Sequence, residues 1–356
     1  MKNMSKQLKS NLITYGIVIV FYLLMMILKG TGNLSSLYRG LLVPICVYTI
    51  MAVSLNLTVG ILGELSLGHA GFMCVGAFTS ALFSMLLRDS GMNSIVRFII
   101  AILLGALVAA LAGVIIGIPV LRLKGDYLAI VTLAFGEIIK NVVNVLYVGR
   151  DSNGVHVSFK DAASLNLLPD GEVIVKGPQG ITGTPNDSTF TIGIIMLIIV
   201  LFVVINFVNS RSGRAVMAIR DNRIAAESVG INISKFKLMA FAISASMAGA
   251  AGALYAHNLA TLNALPKNFG YNMSIMILVY VVLGGIGNIR GSVIAATILT
   301  VLPELLRGFS DYRMLIYSVV LIALMLFNWS PKILDFRSKY SVKNWISKKR
   351  DNKEEV

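Results

Sequence analysis

The sequence predicts an all-α, polytopic transmembrane helix bundle of about ten spans, on three observations. Of 356 residues, 56% are hydrophobic and 13% charged, against about 45–50% and 25% in an average soluble domain. Roughly 200 apolar residues supply about ten stretches of about 20, the length that crosses a hydrocarbon core. Such stretches lie near 12–28, 41–61, 67–87, 97–119, 127–148, 190–208, 237–257, 271–287, 291–306 and 313–328. The formal net charge of +14 is concentrated in a few connecting segments, which reads as membrane orientation and not as nucleic-acid binding. A water-soluble enzyme is excluded.

The elements follow in order. Lys2, Lys6 and Lys9 precede the apolar run from Leu12 to Leu28. A cleaved leader has a similar layout, but Lys29, Gly30 and Thr31 follow where a small-x-small cleavage site would stand. The run is therefore expected to remain as the first span, behind a cytoplasmic tail of residues 1–11. About ten crossings of one membrane domain, 12–330, then return the basic C-tail, 331–356, to the cytoplasm. Segments assigned to the inside include Arg122, Lys124, the stretch Arg211–Lys237, Arg290 and the tail from Lys332. They hold twice the lysines and arginines of the outside segments. Merging the short runs on either side of Gly287 would change the span count. The external loop 149–189 is net acidic and contains the turn-rich run Gly177–Gly183; it reads as a plain connection or as a partner-docking surface.

The inner segment 209–236 carries more information. Asp221 can cap a helix start and Gly230 can end it in the left-handed conformation. Between them Ile224, Ala225, Ser228 and Val229 share one face, while Arg223 and Glu227 share the other. A short helix, apolar on one side and ringed by Arg214, Arg220 and Arg223, suits docking onto a cytosolic protein or lying on anionic headgroups.

Elsewhere, polar residues interrupt apolar runs. Gly60, Gly63 and Gly68 with Glu64, Ser66 and His69 break two would-be helices. Irregular backbone at that depth survives only within protein or beside a water-filled cavity, so the stretch is either part of a translocation path or a tight turn whose Glu64 and His69 cap helix ends. Glu137 and Lys140 stand three apart within a span. Each charge costs on the order of 3 kcal/mol at mid-bilayer, which an i,i+3 ion pair offsets. Small residues repeat at four-residue spacing in Ala245–Gly249–Ala253 and in Gly287–Gly291–Ala295, a pattern for close helix packing. The cysteines, Cys46 and Cys74, sit in apolar runs, and His69, His156 and His257 are scattered, so neither a disulfide framework nor a metal centre is expected.

Four motifs in order carry a resemblance. Ser54-Leu55-Asn56-Leu57 precedes Gly63-Glu64-Leu65-Ser66-Leu67-Gly68-His69-Ala70-Gly71-Phe72. Tyr127–Glu137 reads YLAIVTLAFGE, with Thr132 at its centre. Ile224–Asn232 reads IAAESVGIN, and Gly284-Gly285-Ile286-Gly287-Asn288 follows. Together they resemble the ABC importer permeases, more narrowly the branched-chain amino-acid permeases of the LivM type, over about residues 40–330. In the coupling-loop motif of importers Ala225, Ala226 and Gly230 match, whereas Ile224 stands where the general motif has Glu; the acid lies at Glu227.

The resemblance implies a non-enzymatic permease subunit of the bacterial inner membrane that carries branched-chain amino acids, or urea and short amides in a sister group. It implies three kinds of neighbour besides the lipid bilayer: a second related permease, two cytosolic ATP-binding subunits and an external substrate-binding protein. Arg214, Arg220, Asp221, Ala225, Ala226, Glu227 and Gly230 would couple to the ATPase. Asn56, Glu64, Ser66, His69, Thr132 and Glu137 would line the path, and Gly249, Gly284, Gly285, Gly287 and Gly291 would pack helices. Gly-Lys occurs nowhere in the chain, so no P-loop exists here and ATP would be used by partner subunits, with no cofactor on this chain. The contrasting reading is a self-sufficient carrier or channel in which Glu64, Glu137 or His69 relays protons or ions.

Overall fold

A computed structural model describes residues 6–329 except 33–34, 89–90 and 124. Lys2, Lys124 and the C-tail 331–356 lie outside the described residues. Every predicted span falls on a helix: α1 Lys6–Gly30, α2 Ser36–Asn56, α3 His69–Leu86, α4 Ser94–Val120, α5 Asp126–Asn144 and α6 Phe190–Asn209, then α9 Ile233–Ala256, α11 Tyr271–Gly284, α12 Ile289–Leu305 and α13 Arg313–Trp329. Between them stand α7 Arg211–Asp221, α8 Arg223–Ser228 and α10 Pro266–Phe269. Seven of the described helices are long and apolar enough to cross a membrane. α11 and α13, at 14 and 17 residues, are shorter than a standard span, and α5 carries Asp126, Glu137 and Lys140. α1 starts at Lys6, so its first turns take up part of the expected N-tail.

Residues 1–300 form one compact unit. A second unit begins at Val301 and holds the end of α12, a 3₁₀ segment over Leu306–Tyr312 and α13. Within the first unit, α2 is apolar all round and almost wholly buried, as a central helix must be. α3, α4 and α9 pack backbone to backbone. The buried stripe of α4 is Ala101, Gly105, Ala109, Gly113 and Gly117, at strict four-residue spacing, while Leu103, Leu107, Leu111 and Ile115 face outward. This third small-residue stripe escaped the sequence reading. A Cβ on Gly76 would overlap the Gly249 backbone, and one on Gly249 would overlap Ala109 and come within 2.7 Å of the Gly105 carbonyl. Where side chains vanish, helices approach closely enough to gain dispersion contacts that lipid tails cannot supply.

Segment 149–189 is not a plain connection. It forms β1 Tyr147–Asp151, β2 Gly154–Ser158, β3 Glu172–Lys176 and β4 Ile181–Thr182, and it recruits β5 Thr261–Leu262 into an antiparallel sheet of order β2-β1-β3-β4-β5. Asp151 ties the β1–β2 turn: its Oδ1 accepts from Asn153 N at 2.9 Å and Gly154 N at 3.1 Å, and its Oδ2 accepts from Leu168 N at 3.2 Å. The His156 ring stands 3.1 Å from Oδ1. Burial pushes the Asp151 carboxyl up, but the Leu168 and Asn153 amides and His156 outweigh it and hold the carboxyl below its usual value. A carboxyl lowered in this way stabilises the fold fully above its unfolded pKa and ceases to do so as pH falls through the lowered folded value. Protection of the β1 and β2 amides from hydrogen exchange, taken relative to the intrinsic rate at each pH, is therefore expected to fall selectively in acid. Asp151→Asn should flatten that dependence, and an unchanged acid profile in this variant would refute the assignment.

Candidate functional site

The second span does not end as an α-helix. After Asn56 it widens into a π-helical stretch, Leu57–Leu62, stopped by Gly63 at φ +78°. An irregular stretch, residues 63–68, then leads to α3. π-helical turns are uncommon and gather at functional sites. Several of the predicted path residues converge on this break. Asn56 Oδ1 accepts from Gly287 N at 2.8 Å, and its amide nitrogen donates to Ser292 Oγ at 2.9 Å. Gly60 has to be glycine, because a Cβ there would overlap both Asn56 Oδ1 and Gly287 N. Gly285 and Gly287, at φ +92° and +80°, make the turn that separates α11 from α12. The two short apolar runs are thus distinct helices, packed where Gly284 meets Gly291.

His69 is buried in the first turn of α3, its Nε2 2.7 Å from Ser54 Oγ. The Ser54 hydroxyl donates to Met51 O at 2.9 Å, so the ring nitrogen is the donor in this pair. Ser244 Oγ donates to Ser54 O at 2.6 Å, joining α9 to the same network. Thr132 Oγ1 accepts from Leu67 N at 3.0 Å and donates to Ala129 O at 2.9 Å. Glu64 forms an ion pair with Lys237 of α9. Neither Glu64 nor His69 caps a helix, since the cap position of α3 is Gly68, which has no side chain to offer. Ser66 Oγ and Thr58 Oγ1 are buried with no hydrogen-bond partner among the described residues. Glu137 belongs elsewhere: it pairs with Lys140 and accepts from Tyr271 N at 2.8 Å, tying α5 to the start of α11.

Segment 209–236 folds as two helices followed by the start of α9. α7 is capped by Ser210, whose Oγ accepts from Gly213 N at 3.1 Å. α8 is capped by Asn222, whose Oδ1 accepts from Ala225 N at 3.0 Å. This corrects the expected cap. Asp221 is the last helical residue of α7 and pairs with Arg220 at 2.8 Å, while a cap needs the extended backbone found at Asn222, φ −153° and ψ 104°. Gly230 does take the left-handed conformation, φ +83°. α8 is held from beneath by Ala226, which packs into a cluster of Ile219 and Ile233 flanked by Ile231 and Phe236. Its outward face leaves Ile224 81% and Val229 74% exposed, with Ala225, Glu227 and Ser228 also exposed.

Arg220 points inward. Its Nη1 donates to Gly60 O at 2.9 Å, and its stem lies 3.2 Å or less from where a Gly63 Cβ would stand. It connects the α7–α8 pair to the broken span. Arg214 turns back to Asn209 O at 2.9 Å. Sequence reasoning missed Asn222, Lys237, Ser54, Ser244 and Ser292. A lysine inside a span was the available signal for Lys237.

The family model described as branched-chain amino acid transport system / permease component matches residues 37–328. The high-affinity branched-chain amino acid transport system permease protein LivM of Salmonella typhimurium is 35% identical over 295 residues, covering 80% of this chain and 67% of that protein. LivM of Escherichia coli is 33% identical over 316 residues, covering 86% and 70%. The permease protein LivH of the same Salmonella transport system is 24% identical over 286 residues, covering 78% and 88%. No solved structure matches the chain. A family match across most of the length, over a helical membrane bundle, establishes that the chain belongs to the branched-chain amino acid transport permease family.

Proposed function

We propose that this permease forms half of an ATP-driven import path for branched-chain amino acids in a bacterial cell membrane, with both termini cytoplasmic. A second, related permease supplies the other half. Relatives named LivM and LivH are both permease proteins of one Salmonella transport system, which supports a pair of unlike chains. One of two cytosolic ATP-binding subunits seats on α7 and α8 and the other on the second permease, and an external binding protein delivers substrate to the end of the bundle that carries the sheet. Asn56, Glu64, Ser66, His69 and Thr132 surround the break through which the path runs, while Glu137 stands apart from it in the tie between α5 and α11.

The observation that carries the coupling reading is the pair Ile224 and Val229. Both are large, apolar and exposed on a helix whose other side is clamped by Ala226. Asp221, Ala225, Glu227 and Gly230 frame them, and Arg220 carries movement of the pair to Gly60. ATP-driven closure of the partners displaces α7–α8, and the break opens the path alternately to either side.

Ile224→Glu with Val229→Glu is the test, measured as leucine uptake and ATP hydrolysis in proteoliposomes holding all subunits. Neither side chain supports the fold, so thermal stability should stay within about 0.5 kcal/mol of wild type. Uptake should fall at least about tenfold, because two charges would be desolvated at an apolar seat. Normal uptake in the double variant would refute the coupling assignment and favour a self-sufficient carrier. Competition of leucine uptake by isoleucine and valine, and not by urea, would fix the substrate class.

A further inference from the structure

A cavity of about 180 Å³ opens between α1, α2, α6 and α12, lined by Ile17, Phe21, Cys46, Ile194, Ile294 and Ile298 among others. Apart from the Thr49 and Thr297 hydroxyls and the Cys46 thiol its lining is hydrocarbon, and Thr297 spends its hydroxyl on Val293 O at 2.8 Å. An apolar cavity of about 150 Å³ stays dry and takes up hydrocarbon, so this one selects an apolar occupant.

One helical turn beyond the lining residues stands a charged side chain. Arg290 stands one helical turn before Ile294 on α12, and Thr14 one turn before Ile17 and Val18 on α1. The two meet there, Arg290 Nε donating to Thr14 Oγ1 at 2.8 Å. That bond fixes the guanidinium plane, yet Nη2 is buried with no acceptor among the described residues. A buried donor left unmet is costly, and an arginine fork is shaped for phosphate oxygens. From Arg290 to Ile298 the helix rises about 12 Å, most of one leaflet of a hydrocarbon core about 30 Å thick. Basic pockets between spans take anionic headgroups in this way.

We infer that this cavity is a binding site for one anionic phospholipid of the cytoplasmic leaflet, its phosphate on Arg290 and one acyl chain between α1 and α12. The leaflet rests on the orientation proposed above; the site itself does not depend on transport. Such a lipid fills the space between α1 and the helices behind it and holds the N-terminal span against the bundle.

Native mass spectrometry of the purified full-length chain tests this, with phosphatidylglycerol, phosphatidylcholine or inorganic phosphate added. Wild type should retain one phosphatidylglycerol through collisional activation. Arg290→Gln should retain it about tenfold less. Ile294→Trp, which fills the cavity from a partly exposed position, should lose it with Arg290 intact. Arg290→Lys should keep an intermediate amount, phosphatidylcholine should leave little adduct and inorganic phosphate none. Equal phosphatidylglycerol retention by wild type, Arg290→Gln and Ile294→Trp would mean surrounding bilayer lipid only and overturn the site, as would equal retention of phosphatidylcholine. The measurement needs no ATPase, so its failure leaves the uptake experiment untouched, and a failed uptake experiment leaves this one standing.

Discussion

Lys237→Met is expected to be among the most damaging single changes in the chain, at about 3 kcal/mol, because breaking one side of a buried ion pair strands the other charge. Lys237 is 6% exposed, and its partner Glu64 lies at the margin of the broken span. Methionine preserves the length and the apolar stem of lysine while removing the ammonium. The stranded carboxylate then needs a proton, water or a shift of the irregular segment after Gly63, and each loosens the junction of α2 and α3. The single variant Glu64→Gln should also destabilise, since it leaves Lys237 unpaired. The double variant, Glu64→Gln with Lys237→Met, should recover more than half of the loss, because no uncompensated charge remains. Thermal unfolding of the four proteins in detergent closes the cycle. A Lys237→Met protein that melts with wild type, or a double variant no better than the worse single one, would show that the pair contributes nothing.

Gly249→Leu should be worse still. Gly249 is the point where α9 meets α4, against Ala109 and the Gly105 carbonyl, while Gly76 of α3 meets Gly249 from its own side. A leucine there cannot find space by rotating, because most of what it meets is backbone. The three helices have to separate, and the dispersion contacts along their shared stripes are lost together. The expected cost exceeds the usual 1–3 kcal/mol of an overpacked core, and the measurable outcome is failure to recover folded protein from membranes. Gly249→Ala separates size from general intolerance of substitution: it should fold with reduced stability. Gly16→Leu is the control, since nothing lies within 4 Å of a Cβ at that position. If Gly249→Leu purified and melted like Gly16→Leu, the three-helix contact would not be what holds the bundle.

The positions of the spans were legible because an apolar run of about 20 residues has few other places to go. The sheet was not. β4 and β5 have two residues each, too short for a period-2 pattern, and β5 reaches the sheet from a different connection of the chain. The cap of α8 was misplaced by one residue because Asp221 and Asn222 are equally good capping side chains, and only the backbone conformation distinguishes them. The α4 stripe was hidden in a helix apolar on every face, where glycine and alanine at fourfold spacing compete for notice with the leucines and isoleucines between them.

The site divides similarly. The break itself was visible as glycines and polar residues inside apolar sequence, and Gly230 announced its left-handed turn. The partners were not visible, because pairing is a property of three dimensions. Glu64 and Lys237 are 173 residues apart, Asn56 and Gly287 are 231 apart. Arg220 had been grouped with the residues facing a cytosolic neighbour, yet its guanidinium turns to Gly60 within the chain. A charge count along a loop cannot tell which way an arginine points.

The pairing of β4 with β5 has a mechanical meaning. It stitches the chain just before α6 to the chain just after α9, with Gly183 N on Ala260 O at 2.9 Å and Ser188 N on His257 O at 3.3 Å as further sutures. At their opposite ends the same two helices are joined through α7 and α8, with an extended residue, Asn222, between them. The pair is thus built like tongs, hinged at one tip and gripped at the other. α9 has 24 residues and is about 36 Å long, so a swing of about 5° at the hinge would carry the far tip about 3 Å. On the proposed coupling, a modest push on α8 would become a stroke wide enough to part packed side chains, with the sheet as the fulcrum that keeps the stroke from being absorbed as a slide of the whole helix.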